Sequence, residues 1–230
     1  MRLGIIGGLG PATSCAFCLN VNNRVRKLTD CQPDIVLENL PISTSAERNI
    51  IHGNLGFEHC RLLMQAVERL NRNEVDFIVI PCNTVHVFIN ELRENSHVPI
   101  LSIIEECAKE CQLRGFRKVG LLGSTKTVNE KLHDTELEKC GIQLITLNEK
   151  NQEKVSEILI KIIHNKATEA DEAFLIGVID VLRTNGAEAV ILGCTELGSF
   201  IRKSSLPLLD TLSIFEDETV NLLTNKKKTI

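Results

Sequence analysis

The sequence has no tryptophan and no tyrosine, and its eight phenylalanines are nearly all of its aromatic content. Without aromatic faces there is little on which bases could stack, and a formal net charge of −4 leaves no basic footprint, so nucleic acid is not an expected partner. No apolar run reaches the length of a bilayer span, and the N-terminus enters a strand without the charged start, apolar stretch and small-residue exit of a signal peptide. Cysteine is plentiful at nine, but the count is odd and the residues are scattered through predicted strands and helices. That pattern suits free thiols in a reducing compartment better than a disulfide framework, and the chain reads as cytoplasmic and soluble. With 43% hydrophobic and 24% charged residues over 230 positions, it can bury one or two ordinary cores.

Two stretches organise the rest. Asp76 to Thr84, DFIVIPCNT, and Glu188 to Glu196, EAVILGCTE, are each an apolar run ending in a cysteine and small polar residues. Each reads as a buried parallel strand delivering a thiol at its C-terminal tip. Other blocks repeat in the same order: LGIIGG at Leu3 to Gly8 with VGLLGS at Val119 to Ser124, and VPILSI at Val98 to Ile103 with LPLLDTL at Leu206 to Leu212. The separations of 116, 112 and 108 positions describe one duplicated unit with small changes in loop length. The predicted fold class is α/β, with two similar domains of mostly parallel sheets flanked by helices. They are related by a pseudo-twofold axis, with the site in the cleft between them. The predicted boundaries are 1–101 plus 208–230 for the first domain and 102–207 for the second, the last helix packing back on the first copy.

Between these blocks, periodicity predicts strands at Ile35 to Leu40 and Ile142 to Leu147. Helices are predicted at Phe57 to Leu70, Val85 to Arg93, Ile104 to Leu113, Glu130 to Lys139, Gln152 to His164, Asp171 to Thr184 and Ser213 to Leu223. The turn Gly7-Gly8-Leu9-Gly10-Pro11-Ala12-Thr13 leads from a strand into a helix, so that Gly8 and Gly10 allow close backbone approach and the helix N-terminus favours a carboxylate or phosphate. Thr13 stands where a dinucleotide fingerprint needs its third glycine, and a carboxylate is the preferred ligand.

A cysteine taken singly is most often a small buried hydrophobe, which is the reading for Cys31, Cys60, Cys107, Cys111 and Cys140. Cys15 and Cys18 form a C-x-x-C inside a helical pattern with no second pair, and packing is assigned to them as well. Cys82 and Cys194 differ because both copies place a thiol at the site-forming end, followed by Asn83 and Thr84 or by Thr195. Metal binding would want three or four ligands, and only His86 is nearby, so no metal is expected. A single acyl-transfer nucleophile would leave the second thiol unexplained.

Two opposed thiols suit removal of a proton from one face of a carbon and its return to the other. With each sulfur about 3.5 Å from the α-carbon the pair would stand roughly 7 Å apart. Ionising an ordinary thiol at pH 7 costs roughly 2 kcal/mol, which nearby N–H groups could offset. Asn83, Thr84 and Thr195 are placed to hold the substrate carboxylate and stabilise the enediolate-like state, and no cofactor is then required.

The segments PCNT at Pro81 to Thr84, GCTE at Gly193 to Glu196 and GGLGPAT at Gly7 to Thr13 resemble those of the cofactor-independent aspartate/glutamate racemases, most closely the aspartate branch. The resemblance spans essentially the whole chain. It implies two similar α/β domains, Cys82 and Cys194 as the acid/base pair, a dicarboxylic amino acid as substrate and frequently a homodimer. Glu196 after Cys-Thr is like the aspartate branch, where glutamate racemases usually carry histidine. Arg48 stands where the family places an arginine for a substrate carboxylate. His164, with Lys166 two residues on, stands near the position of a lysine that aspartate racemases often use for the second carboxylate. Asn20 and His86 are candidate cleft residues or structural ones. Alternatives are a maleate-type isomerase, a hydantoin racemase or a non-catalytic small-acid-binding homologue.

Overall fold

The computed structural model describes residues 1–43, 45–46, 49–50 and 54–225. Among the described residues, seven strands form two sheets. In the first, β1 (Arg2–Gly7) lies between β2 (Asp34–Asn39) and β3 (Phe77–Val79), and a single parallel bridge from Ile78 to Ile100 extends it. In the second, β4 (Lys118–Gly123) lies between β5 (Gln143–Ile145) and β6 (Ala189–Gly193), and β7 (Leu208–Asp210) adds to β6. Every pairing is parallel. The order β2-β1-β3-Ile100 thus matches β5-β4-β6-β7 strand for strand.

The match extends to packing. Helix α2 (Phe57–Arg72) precedes β3, and α8 (Glu169–Thr184) precedes β6, each 16 residues long. Leu70 of α2 lies against Gly4 of β1, where an added Cβ would come within 3.1 Å of its methyl group, and Leu182 of α8 lies against Gly120 of β4, where the approach would be 2.7 Å. Both halves therefore seat a helix close to the central strand by leaving out a side chain at the crossing.

The remaining helices are α1 (Pro11–Thr29), a 3-10 turn (Thr84–Phe88) running into α3 (Ile89–Glu94), α4 (Ile103–Leu113), α5 (Thr125–Asn129), α6 (Leu132–Lys139), α7 (Glu149–Ile163), α9 (Leu197–Phe200) and α10 (Thr211–Leu223). Helix α1 starts on Pro11, whose missing N–H is no loss at a first helical position, and buries Ser14, Phe17, Val21 and Val25 at helical spacing. Helix α8 begins at Glu169, two residues before the predicted start, because Thr168 and Asp171 form a reciprocal capping box. The helix predicted from Glu130 to Lys139 begins at Leu132, after Lys131 in the left-handed region, and the short helix α5 precedes it.

Helices α4 and α10 join the halves. Ile103 and Ile104 belong to the core under the first sheet, whereas Cys107, Ala108 and Cys111 one to two turns later belong to the core under the second. Helix α10 does the same with Phe215 and Val220 in the first core and Ile214 in the second. The rings of Phe17 and Phe215 meet at 5.8 Å, fixing α10 against α1. The last helix thus packs on both halves, not on the first copy alone. Strand β7, which the boundaries drawn from sequence place with the first half, pairs with β6 in the second sheet.

Candidate active site

The segment expected as a strand from Asp76 to Thr84 is regular only through Val79. Pro81 has no N–H for a ladder, and the Cys82 N–H turns back onto the Ile80 carbonyl at 2.8 Å, so the thiol sits on a tight turn just past the strand. Cys194 directly follows β6. Both cysteines line one cavity of about 40 Å³, room for a few water molecules, together with Asn83, Thr84, Ser124, Thr195 and Glu196 and the apolar Leu9, Ile50, Leu159 and Ile163. An outer cleft of about 560 Å³ adjoins it, bounded by Gly10 to Thr13 and Ala16 of the first half and by Ile162, Ile163, Asn165, Ser199 and Phe200 of the second; Thr195 and Glu196 line both spaces.

Glu196 spans the two halves. Its Oε2 accepts a hydrogen bond from Cys194 Sγ at 3.0 Å and from the Thr195 hydroxyl at 3.1 Å, while its Oε1 accepts from the Thr13 hydroxyl at 3.0 Å. Gly10, at φ 122°, leaves the space this carboxylate uses, since a Cβ there would come within 2.7 Å of Oε1. A carboxylate of the chain itself thus stands against the glycine turn. Gly8, at φ 88°, makes a different close approach: its neighbour is the Leu40 backbone, 2.6 Å from where a Cβ would stand, and it lines neither space.

Electrostatics favour the protonated form of both thiols. Burial pushes Cys82 up to about 12, helped by the charge of Glu196 and opposed by the backbone N–H groups of Val85 and Thr84. Burial also raises Cys194 well above the ordinary thiol range, and the Glu196 charge and hydrogen bond add to it. The N–H donors expected to offset ionisation are present at Cys82 but are outweighed, so thiolate formation there at pH 7 costs about 7 kcal/mol before substrate arrives. The Cys82 charge contributes to the Cys194 shift, as expected of two sulfurs sharing a site.

Asn83 and Thr84 are held by the opposite half. The Asn83 amide donates to the Thr211 hydroxyl at 3.0 Å, and Thr211 donates on to the Leu192 carbonyl at 2.8 Å; the Asn83 carbonyl faces His133 Nε2 at 3.2 Å. This run of polar groups ties the Cys82 turn to the strand that carries Cys194. Thr84, Ser124 and Thr127 form a buried ring of hydroxyls at 3.0 to 3.2 Å. Two side chains expected to meet substrate are thus engaged by protein, although their residues line the cavity.

His86, also buried, faces the Cys82 carbonyl at 2.8 Å through Nδ1 and accepts from the Ile103 N–H through Nε2 at 3.3 Å. Burial lowers it to about 4 and lowers His133 to about 3, so both rings are neutral. No motif marks His133, Thr127 or Thr211, since each is one polar residue among several in its helix and acquires its role from a contact that the fold makes. His164 ends α7 with Nδ1 facing the Ile160 carbonyl at 2.8 Å, and neither it nor Lys166 lines either space, whereas Ile162, Ile163 and Asn165 do. Asn20 donates to Glu216, away from the thiols. Arg48 lies outside the described residues. Among the described residues no cluster of three His, Cys, Asp or Glu could hold a metal ion, and no helix is long and apolar enough to cross a membrane.

A family model described as Asp/Glu/Hydantoin racemase matches residues 6–215. The broad specificity amino-acid racemase RacX of Bacillus subtilis is 25% identical over 226 residues, covering 95% of this chain and 96% of its own. A glutamate racemase of Shewanella piezotolerans is 24% identical over 221 residues, covering 89% and 76%. Among solved structures, the aspartate racemase of Picrophilus torridus superposes with a TM-score of 0.79 at 22% identity, over 97% of this chain and 94% of that one.

Proposed function

The chain belongs to the Asp/Glu/Hydantoin racemase family, and from that premise we propose that it interconverts the L and D forms of an acidic amino acid, aspartate before glutamate, with Cys82 and Cys194 as a two-base pair. The observation that supports this reading is the shared cavity, lined by one thiol from each equivalent strand tip. One sulfur takes the α-proton as thiolate, and the other, as thiol, returns one to the opposite face; the roles exchange with the handedness of the substrate. The high cost of a thiolate in the substrate-free site is offset when the substrate's ammonium group enters beside it, since an opposite charge within about 4–6 Å favours the ionised form. In this reading the donors available to the developing enediolate charge are the Thr195 hydroxyl, on the cavity wall, and the N–H groups of Thr84 and Val85, which already favour negative charge at Cys82. Arg48 supplies the charge for a substrate carboxylate in this reading.

Incubation with L-aspartate in deuterated water, free of added metal and pyridoxal phosphate, should yield D-aspartate carrying deuterium at the α-carbon. Absence of exchange with both aspartate and glutamate overturns the acidic-substrate reading. A second reading, racemisation of amino acids with uncharged side chains, is supported by the lining itself: no Lys or Arg is among the described residues of either space, while Ile162, Ile163, Phe200 and Leu212 are. The same exchange run on a panel of neutral amino acids separates the two.

A further inference from the structure

In the proposed two-thiol reaction, conversion of one enantiomer leaves the cysteine pair in the opposite protonation state from the one that began. The protein must then return a proton to one sulfur and remove one from the other before it can convert the same enantiomer again. Cys82 and Cys194 line only the inner cavity; the titratable side chain that lines both this cavity and the outer cleft, among the described residues, is Glu196. One of its oxygens is 3.0 Å from Cys194 Sγ, and the other is held at the Thr13 hydroxyl, on the cleft side. Apart from the thiols, no other acid or base among the described residues lines either space, so a proton leaving the thiols for the cleft meets this carboxylate.

We propose that Glu196 is the proton-transfer residue that resets the cysteine pair between turnovers, exchanging the Cys194 proton with water of the outer cleft. The step balances within the site. The Sγ–H bond of Cys194 breaks as an O–H bond forms at Glu196 Oε2, and the acid passes that proton to cleft water and returns to carboxylate; a water in the shared inner cavity gives a proton to the Cys82 thiolate, and the hydroxide it leaves is neutralised by the proton released. Run backwards, the same transfers reprotonate the Cys194 thiolate. This role rests on the two-thiol reading and adds to it a reset that bypasses substrate.

The test compares two rates in Glu196→Gln, which keeps the shape and hydrogen-bonding reach of the side chain but carries no exchangeable acid proton. Net racemisation from a single enantiomer of aspartate, or of the amino acid the panel selects, requires the reset in every cycle. Exchange of carbon label between equal concentrations of the L and D forms does not, because the state left by one enantiomer is the state that accepts the other. The expected result is a net initial rate that falls by about tenfold or more relative to the label exchange measured in the same variant. Glu196→Asp, which keeps an acid but withdraws it by one methylene, should lie between and guards against a misfolded glutamine variant. Equal loss of both rates in both variants, as for a structural or substrate-binding side chain, overturns the proposal, and so does no loss of either. Absence of net conversion and label exchange in the unsubstituted protein, for every amino acid tried, overturns the two-thiol reading itself.

Discussion

Two positions beyond Cys82 stands Thr84; two positions beyond Cys194 stands Glu196. The backbones that carry them correspond, yet the first side chain reaches across to Ser124 and Thr127 only, whereas the second both reaches across to Thr13 and turns back on its own cysteine. Two positions further on the pair is His86 and Gly198. His86 accepts from the first N–H of the joining helix α4, that of Ile103. At Gly198 a Cβ would collide with the carboxylate of Asp210, which itself caps helix α10 through the Leu212 N–H at 3.0 Å. The same structural need, a partner for the N-terminus of the joining helix, is met by a histidine from the cysteine turn on one side and by an aspartate from the helix's own cap on the other. What recurs in the two halves is what the cores require; what differs is what the side chains at the strand tips touch, and there the two thiols become unequal.

The comparison can be broken most sharply at the sulfurs. Cys82→Ala and Cys194→Ala should each lower racemisation by about a thousandfold or more, since a lone thiol cannot serve both faces of the carbon. Steady-state conversion of each enantiomer measures this, and a variant retaining substantial turnover would remove its cysteine from the pair.

The two buried histidines, His86 in the first half and His133 in the second, give the next largest effect. Both are neutral when folded, with titration lowered by burial to about 4 and about 3, whereas an unfolded histidine titrates near 6.5. The unfolded chain therefore binds protons first as pH falls. Stability from these groups is full above about pH 6.5 and is lost toward pH 4, by roughly 2 kcal/mol each at pH 5. Chemical unfolding at pH 7 and pH 5 should show that loss, and His133→Gln should shrink it by about half. A pH-independent midpoint would contradict neutral burial.

Leu70→Ala and Leu182→Ala test whether the halves are equivalent where the packing says they are. Each leucine is fully buried against the strand glycine of its own half, and each substitution should cost about 3 kcal/mol, with values within about 1 kcal/mol of each other. The smallest effect belongs to Gly198→Ala, which should destabilise by about 1–2 kcal/mol by displacing the Asp210 carboxylate. Pairing it with Asp210→Ser, which keeps a capping oxygen on a shorter side chain, should recover part of the loss.

Much of this arrangement was legible in the chain. The spaced repeats give the doubled sheet, and the β-branched runs ending in cysteine give the strand tips, because burial on both faces of a parallel strand enforces continuous apolar sequence. Boundaries are less legible where a local device acts: Pro81 stops β3 early, Thr168 starts α8 early and Lys131 delays the start of α6. At the site, Cys82, Asn83, Thr84, Cys194, Thr195 and Glu196 come together around one cavity as their positions suggested, with Gly10 and Thr13 at the adjoining cleft. Gly8 and His164 line neither space. Position along the chain does not say what fills the volume next to a residue, and Leu40 and the turn at the end of α7 decided those two.

The sequence by itself determined that there are two alike α/β halves and that each offers a thiol at the end of a central strand. Periodicity and repetition are local properties, and a chain obeying them has few other ways to bury its apolar faces. Only the tertiary structure decided that Asn83 and Thr84 are held by the opposite half, that two histidines are locked neutral and that Glu196 bridges Cys194 to Thr13. Across the halves these contacts join residues from 40 to 183 positions apart. They depend on how helices α4 and α10 join the halves, and no spacing within either half encodes that packing.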